Sequence, residues 1–162
     1  MEKNNAIWII GLIISIIGIL LVFLPWIQIS LSSWLGSSSV NYNAFDIAFG
    51  GDFNGNTALY TMAPLAKITP LIIAILFLAT TISFARKSGT GAIIGGILVI
   101  IFVVYFIAIV NPSSLSVIGI TLSVSEGIGC WIAVLFSIIV IILGVLLRTN
   151  KLAAKENKDT SL

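Results

Sequence analysis

Histidine is absent from the 162-residue chain, cysteine occurs once, and acidic and basic side chains together make up only 9% of it. Each shortage excludes a class of function. Without histidine there is no imidazole to serve as general base, zinc ligand or axial haem ligand. A lone cysteine, Cys130, allows neither an intrachain disulfide nor a thiolate cluster, and it reads as a small buried apolar residue. Soluble domains carry about 25% charged residues. A chain with 9% charge, 59% apolar residues and a mean hydropathy of +1.18 is not one of them.

What is present instead is length of apolar run. Crossing a hydrocarbon core takes about 20 residues of helix at roughly 1.5 Å each. Four runs qualify, at about 6–24, 66–85, 91–110 and 127–147. The second can be started at Pro64 or Ile68. Together they take up about half the chain, so residues 1–162 form one membrane domain with no room for a separate soluble enzyme. The first run is too long for the 7–15-residue apolar region of a secretion signal, and Phe23-Leu24-Pro25-Trp26 offers no small-residue cleavage site, so a retained helix is expected. Trp8 and Trp26 flank it, as amphipathic rings do at the two membrane interfaces.

Charge placement predicts orientation, because Lys and Arg beside a span are retained on the cytoplasmic side. Lys3, Arg86, Lys87, Arg148, Lys151, Lys155 and Lys158, seven of the eight basic residues, fall on one side if all four runs span. The other side holds Lys67 against Asp46, Asp52 and Glu126, a net charge of −2. Both termini and the tail 148–162 are therefore expected in the cytoplasm of a cell-membrane protein. The basic excess marks topology and no nucleic-acid signature accompanies it. The tail can extend the fourth helix and meet anionic headgroups.

The connections are unequal. Five residues, Arg86 to Thr90, join the second and third runs, which forces an antiparallel hairpin. The outer loops, 25–65 and 111–126, are much longer. In Trp26 to Ser32, apolar Ile27, Ile29 and Leu31 alternate with Gln28, Ser30 and Ser32, the period of a strand with one apolar face. Val40 to Asn43 continues this after a turn-rich Gly36-Ser37-Ser38-Ser39, and Ile118, Ile120, Leu122 and Val124 repeat it. The expected fold is an integral membrane four-helix bundle with a small extracytoplasmic antiparallel sheet of about three strands, its apolar face toward the bundle.

Residues 44–56 mix aromatic, acidic and turn-forming residues. They read as a loop or short helix that packs Phe45, Phe49 and Phe53 on the bundle. A weaker alternative is an oxygen-ligand metal site from Asp46 and Asp52 with Asn54 and Asn56, although the EF-hand spacing is missing. Trp34, Tyr42, Asp46 and Asp52 are the candidate interaction surface. No cofactor is expected.

None of the four runs carries an ionisable residue at its centre, which argues against proton relays and ion-coupled transport. They carry small residues for close packing: Gly11, Ser15 and Gly18 in the first, Gly91 and Gly95 in the third, Cys130, Ala133, Ser137 and Gly144 in the fourth. Packing within the bundle or between protomers are the two readings. Lys67 is expected to snorkel or to pair with an outer acid, with a Ser/Lys dyad as the lesser alternative. Glu126 suits the positive end of the fourth helix. Thr69-Pro70 reads as a cap and first-turn proline, or as a mild kink.

The step from Pro25-Trp26 into a strand, the long outer loop, the short basic inner loop and the strand leading into the last helix resemble claudin-type tetraspan proteins. In Phe23-Leu24-Pro25-Trp26, Phe45-Asp46 with Gly50-Gly51, and Gly127-Ile128-Gly129-Cys130-Trp131, the chain is similar to small four-helix membrane proteins of bacteria and archaea. The resemblance implies an outer sheet and a prokaryotic cell membrane. The claudin signature in the first outer loop survives only as Trp34-Leu35-Gly36, without its two cysteines, so no functional residue is carried over. The function expected is non-catalytic: interaction with other copies or other membrane proteins through the outer cap. The alternatives are an accessory subunit of a larger membrane enzyme or transport complex, or an oligomeric pore.

Overall fold

The computed structural model describes residues 2–49, 64–110, 113–117 and 120–159. Four helices in it are long and apolar enough to cross a membrane, over Ala6–Phe23, Leu65–Ala85, Gly89–Val110 and Ile128–Lys151. In chain order the elements are α1 (Glu2–Ile19, continued by a 3-10 turn Leu20–Phe23), β1 (Ile27–Ser33), β2 (Gly36–Tyr42), α2 (Ala44–Phe49), α3 (Pro64–Ala85), α4 (Gly89–Val110), β3 (Ser113–Val117), β4 (Ile120–Glu126) and α5 (Ile128–Asp159). At 32 residues, α5 is about 48 Å long, some 18 Å more than a hydrocarbon core of roughly 30 Å. The basic tail thus continues the last span as helix.

Each long helix packs on two others: α1 on α3 and α5, and α4 on the same pair. The bundle is inside-out by soluble standards. Large apolar side chains such as Ile75, Val104, Leu135 and Ile142 point outward and are exposed, while Ser15, Thr69, Thr80 and Ser137 lie inside beside Phe77, Phe84 and Phe106. Only a hydrocarbon solvent makes that arrangement favourable. Buried hydroxyls are satisfied within their own helix. Ser15 donates to the Gly11 carbonyl at 2.7 Å, Thr69 to Leu65 at 2.8 Å, Thr80 to Leu76 at 2.8 Å and Ser137 to Ala133 at 2.6 Å. Such a bond to the carbonyl one turn back lets a polar group enter an apolar core without a partner helix.

Thr69 is thus no cap. Pro70 is inside α3 and no first-turn proline: the ring offers no N–H to the carbonyl of Ala66 one turn earlier.

The sheet has four strands in the order β2-β1-β4-β3, all neighbours antiparallel. The pairing of β1 with β4 joins the strand leaving α1 to the strand entering α5, two helices that also pack on each other. Beyond the expected three strands is β3, paired to β4. Ser113 to Val117 alternates serine with Leu115 and Val117, a short signal of the same period. The single strand expected from Ile118 starts instead at Ile120, and residues 118 and 119 lie outside the described residues.

The segment Gly36-Ser37-Ser38-Ser39, expected as a turn, is strand. Trp34 and Leu35 make the connection, and Gly36 at φ 144° takes the positive dihedral the return needs. The serines then extend because each faces a β1 partner in the ladder, from Ser37 opposite Ser32 to Ser39 opposite Ser30.

Candidate interaction surface

Pro25-Trp26 and Gly127 to Cys130 form a junction that fastens the cap to the bundle. Pro25 cannot continue the helix, and the chain turns so that Trp26 is fully buried instead of facing an interface. Its indole N–H donates to the Leu21 carbonyl at 2.8 Å, and its ring meets Phe106 of α4 edge-on with centroids 5.8 Å apart. Its backbone N–H donates to Tyr42 at the end of β2, and its carbonyl accepts from Gly127, both at 2.8 Å. Gly129 donates to the Pro25 carbonyl at 2.8 Å, and the Cys130 thiol lies 3.6 Å from the Trp26 oxygen. A side chain on Gly127 would run into the Pro25 carbonyl. Pro25-Trp26 and Gly127 to Cys130 are therefore two halves of one knot, which accounts for Cys130 as a buried structural residue.

Register divides the sheet into two unlike faces. Ile27, Ile29, Leu31, Val40, Leu122 and Val124 fall on one face, with Tyr42 and Glu126 flanking Ile27. The near half of that face is sealed: Ile27, Ile29 and Val124 are buried. Its far half, Leu31 and Ile120, is exposed, as is Val40 on the edge strand beside Ile29. The opposite face is uncharged and polar throughout the three strands β2, β1 and β4. Asn41, Gln28 and Ser125 make one row, Ser39, Ser30 and Ser123 the next, and Ser37, Ser32 and Thr121 the third. The Ser30 and Ser123 hydroxyls are hydrogen-bonded at 2.6 Å.

The four expected interaction residues do not form one patch. Trp34 occupies the hairpin tip and is 83% exposed, beside Leu35 at 78%. Tyr42 is at the other end of β2, half-buried against Ile27 and about 20 Å away at strand spacing. Asp46 closes a capping box at the start of α2. The Asn43 side chain accepts from the Phe45 and Asp46 N–H groups at 2.9 and 3.0 Å, and the Asp46 carboxylate accepts from the Asn43 N–H at 3.0 Å. That engagement explains Asp46 as a helix-starting residue. Asp52, with Asn54, Asn56 and Phe53, lies outside the described residues. Among the described residues no group of three or more acids or thiols comes together to hold a metal.

Phe45 and Phe49 are exposed, and the packing expected on the bundle is reduced to the contact of Phe45 with Phe23. In a helix of six residues the 3.6 period turns Ala44 and Ile47 inward and leaves the phenylalanines outside, with Phe45 5.7 Å from the Phe23 ring. Lys67 is half-buried in the first turns of α3, and Glu126 ends β4.

The small residues face neighbouring helices of the same chain. On α1, Gly11 admits the ring of Phe84, and a Cβ on Gly18 would stand 2.5 Å from Phe77, both on α3; Ser15 is buried between them. On α4, Gly91 and Gly95 meet Ser83 and Thr80 of α3. On α5, Ala133 and Ser137 are buried and Gly144 meets Gly89 and Ile93 of α4. Gly96, missed in the sequence because Gly91 and Gly95 already explained the spacing, faces Ser137 and Ile141.

No family model, curated protein or solved structure matches the chain.

Proposed function

We propose that this chain is a non-catalytic, claudin-like multi-pass protein of a cell membrane that works by assembling with further copies of itself through its outer sheet, both termini being cytoplasmic. The observation that carries the reading is the edge strand β2. It stands first in the sheet, none of its residues is charged or proline, and six of its seven residues are exposed. Proteins that must stay apart blunt such an edge with lysine, proline, bulges or a covering element. Here the edge ends in the exposed pair Trp34 and Leu35. A two-fold axis normal to the sheet pairs β2 with β2 antiparallel, and each copy then offers the same groups it receives. Sidedness follows from the charge pattern of the sequence: the connection Arg86 to Thr90 is basic, and the two long loops carry Asp46, Asp52 and Glu126.

The test is disulfide trapping in native membranes. In a Cys130→Ala background, Ser37→Cys, Ser39→Cys and Asn41→Cys are introduced singly and oxidised, with Ser32→Cys on the inner strand as control. With the axis through the middle of β2, trapped dimers are expected to concentrate at Ser39→Cys, to be weaker at Ser37→Cys and Asn41→Cys, whose copies are displaced along the strand, and to be absent at Ser32→Cys. An impermeant thiol reagent should reach Ser37→Cys from outside and Ser88→Cys only after permeabilisation. A clean monomer in every mild detergent, with no trapped dimer, would sink the assembly reading. Crosslinks from the lipid-facing helices to one other protein at fixed ratio would transfer it to an accessory subunit.

A further inference from the structure

At the end of the bundle away from the sheet, the α3–α4 turn and α5 enclose a cleft of about 250 Å³ lined by Lys87, Ser88, Gly89, Thr90, Arg148 and Lys151. The local sequence builds it in three steps. First, α3 closes with Lys87 in the left-handed region at φ 54°: its N–H donates to Phe84 and that of Ser88 to Ser83, both at 2.8 Å. Glycine normally fills this position because a Cβ there is strained. Second, Ser88 starts α4, its hydroxyl accepting from the Gly91 N–H at 3.4 Å, and the first amides of that helix open beside it. Third, two glycines bring α5 against this end. A Cβ on Gly89 would strike the Gly144 carbonyl and stand 2.9 Å from the Arg148 nitrogen. Arg148 and Lys151, one turn apart, are thereby held at the positive end of α4.

Three basic residues, two hydroxyl residues and a helix N-terminus line the cleft, and no carboxylate is among its described lining residues. Like charges repel one another and the helix end alike, so the arrangement is complementary to an anion. The Lys151 ammonium donates to the Lys87 carbonyl at 3.2 Å, and the Lys87 ammonium lies 5.3 Å from the Trp8 ring of α1, which ties the turn to a third helix. The cleft is also placed at one level of the membrane. The apolar stretches Leu65–Ala85, Gly89–Val110 and Ile128–Lys151 all end or begin at its walls. Its volume falls below the roughly 300–1,000 Å³ of drug-sized sites and admits a headgroup.

We propose that this cleft binds the phosphate of an anionic lipid headgroup. Arg148 and Lys151 pair with the phosphate oxygens, Ser88, Thr90 and the first α4 amides donate to them, and the acyl chains lie along the apolar faces of α4 and α5. The chemistry is that of any phosphate; the level of the cleft assigns it to lipid. Nothing in this assignment depends on which side of the membrane the cap faces.

The experiment titrates the full chain, purified in a neutral detergent, with short-chain phosphatidic acid, phosphatidylglycerol, phosphatidylcholine and inorganic phosphate, each separately, by calorimetry. One anionic lipid per chain is expected, bound at least about ten-fold more tightly than phosphatidylcholine or inorganic phosphate. Arg148→Gln and Lys151→Gln should each weaken it roughly ten-fold, the scale of one charge-assisted contact. Lys67→Gln, at the opposite end, should leave it unchanged. The melting temperatures of Arg148→Gln and Lys151→Gln should hold, which separates lost binding from misfolding. Equal affinity for phosphatidylcholine overturns the proposal, as does equal loss in Lys67→Gln or full binding in Arg148→Gln and Lys151→Gln. Inorganic phosphate binding as tightly as the lipids would overturn the lipid assignment.

Discussion

Replacing Trp26 tests whether one side chain locks the cap to the bundle. Trp26→Phe keeps a ring against Phe106 and removes the indole N–H that donates to Leu21. The Leu21 carbonyl still accepts from the Leu24 N–H at 3.0 Å, so no orphan acceptor remains. The cost should be that of one net hydrogen bond, about 1 kcal/mol, or roughly five-fold in the open population. Trp26→Ala empties a fully buried site and should cost about 3–5 kcal/mol, two to three and a half orders of magnitude. The reporter is built in. Cys130 is buried, is the only cysteine and has its sulfur 3.6 Å from the Trp26 carbonyl. Maleimide labelling in detergent, run where opening is fast relative to modification, reads that population directly. Wild-type labelling should be slow, Trp26→Phe a few-fold faster and Trp26→Ala hundreds-fold faster or more. An alanine variant labelled at the wild-type rate would refute the knot. Phenylalanine and alanine variants labelled alike would assign the closure to the hydrogen bond and not to packing.

Gly144→Leu should separate α4 from α5, because a Cβ there would be 2.9 Å from the Gly89 carbonyl and backbone cannot yield. A loss of about 1–3 kcal/mol is expected, read as a lower melting temperature in detergent, and an unchanged value would refute the close approach. Gly36→Ala meets open space but a φ of 144°, so its cost of about 1–3 kcal/mol is purely backbone. Hydrogen exchange should quicken in β1 and β2 while the helices keep their protection. Trp34→Ser should change stability by less than about 0.5 kcal/mol, since that ring is 83% exposed, and yet reduce disulfide trapping at Ser39→Cys. Ser137→Ala should be nearly neutral in melting temperature, because its hydroxyl serves only the Ala133 carbonyl one turn back.

The spans were legible because a stretch of about 20 apolar residues has few other uses, and the alternation in Ile27 to Ser32 was legible because a strand has one period. The polar cap was harder to read. Serine-rich segments carry the same composition in a turn and in a strand, and it is the ladder to β1 that makes Gly36 to Ser39 extended. Trp26 shows the same ambiguity: a tryptophan at a helix end suits an interface, and only the turn at Pro25 sends it inward. For Asp46, composition suggested a ligand, whereas Asn43 three residues earlier already completed a capping box. At the end of the bundle away from the sheet, the basic residues around 86–87 and 148–151 were visible as an orientation signal. Their convergence on one cleft was not, since it depends on contact between residues 55 positions apart, Gly89 and Gly144.

The amino-acid sequence by itself determined the solvent, the number of spans and the absence of imidazole chemistry, because these follow from composition and run length without reference to any partner residue. The tertiary structure decided which groups meet. It joined Pro25-Trp26 to Gly127 to Cys130 across more than a hundred residues, sorted the cap into an apolar and a hydroxyl face, put β2 at the edge of the sheet, and drew Arg148 and Lys151 onto the start of α4. The reason is physical. Solvation depends on each residue's own surface, whereas a site depends on the pairing of elements far apart in the chain, and packing sets that pairing.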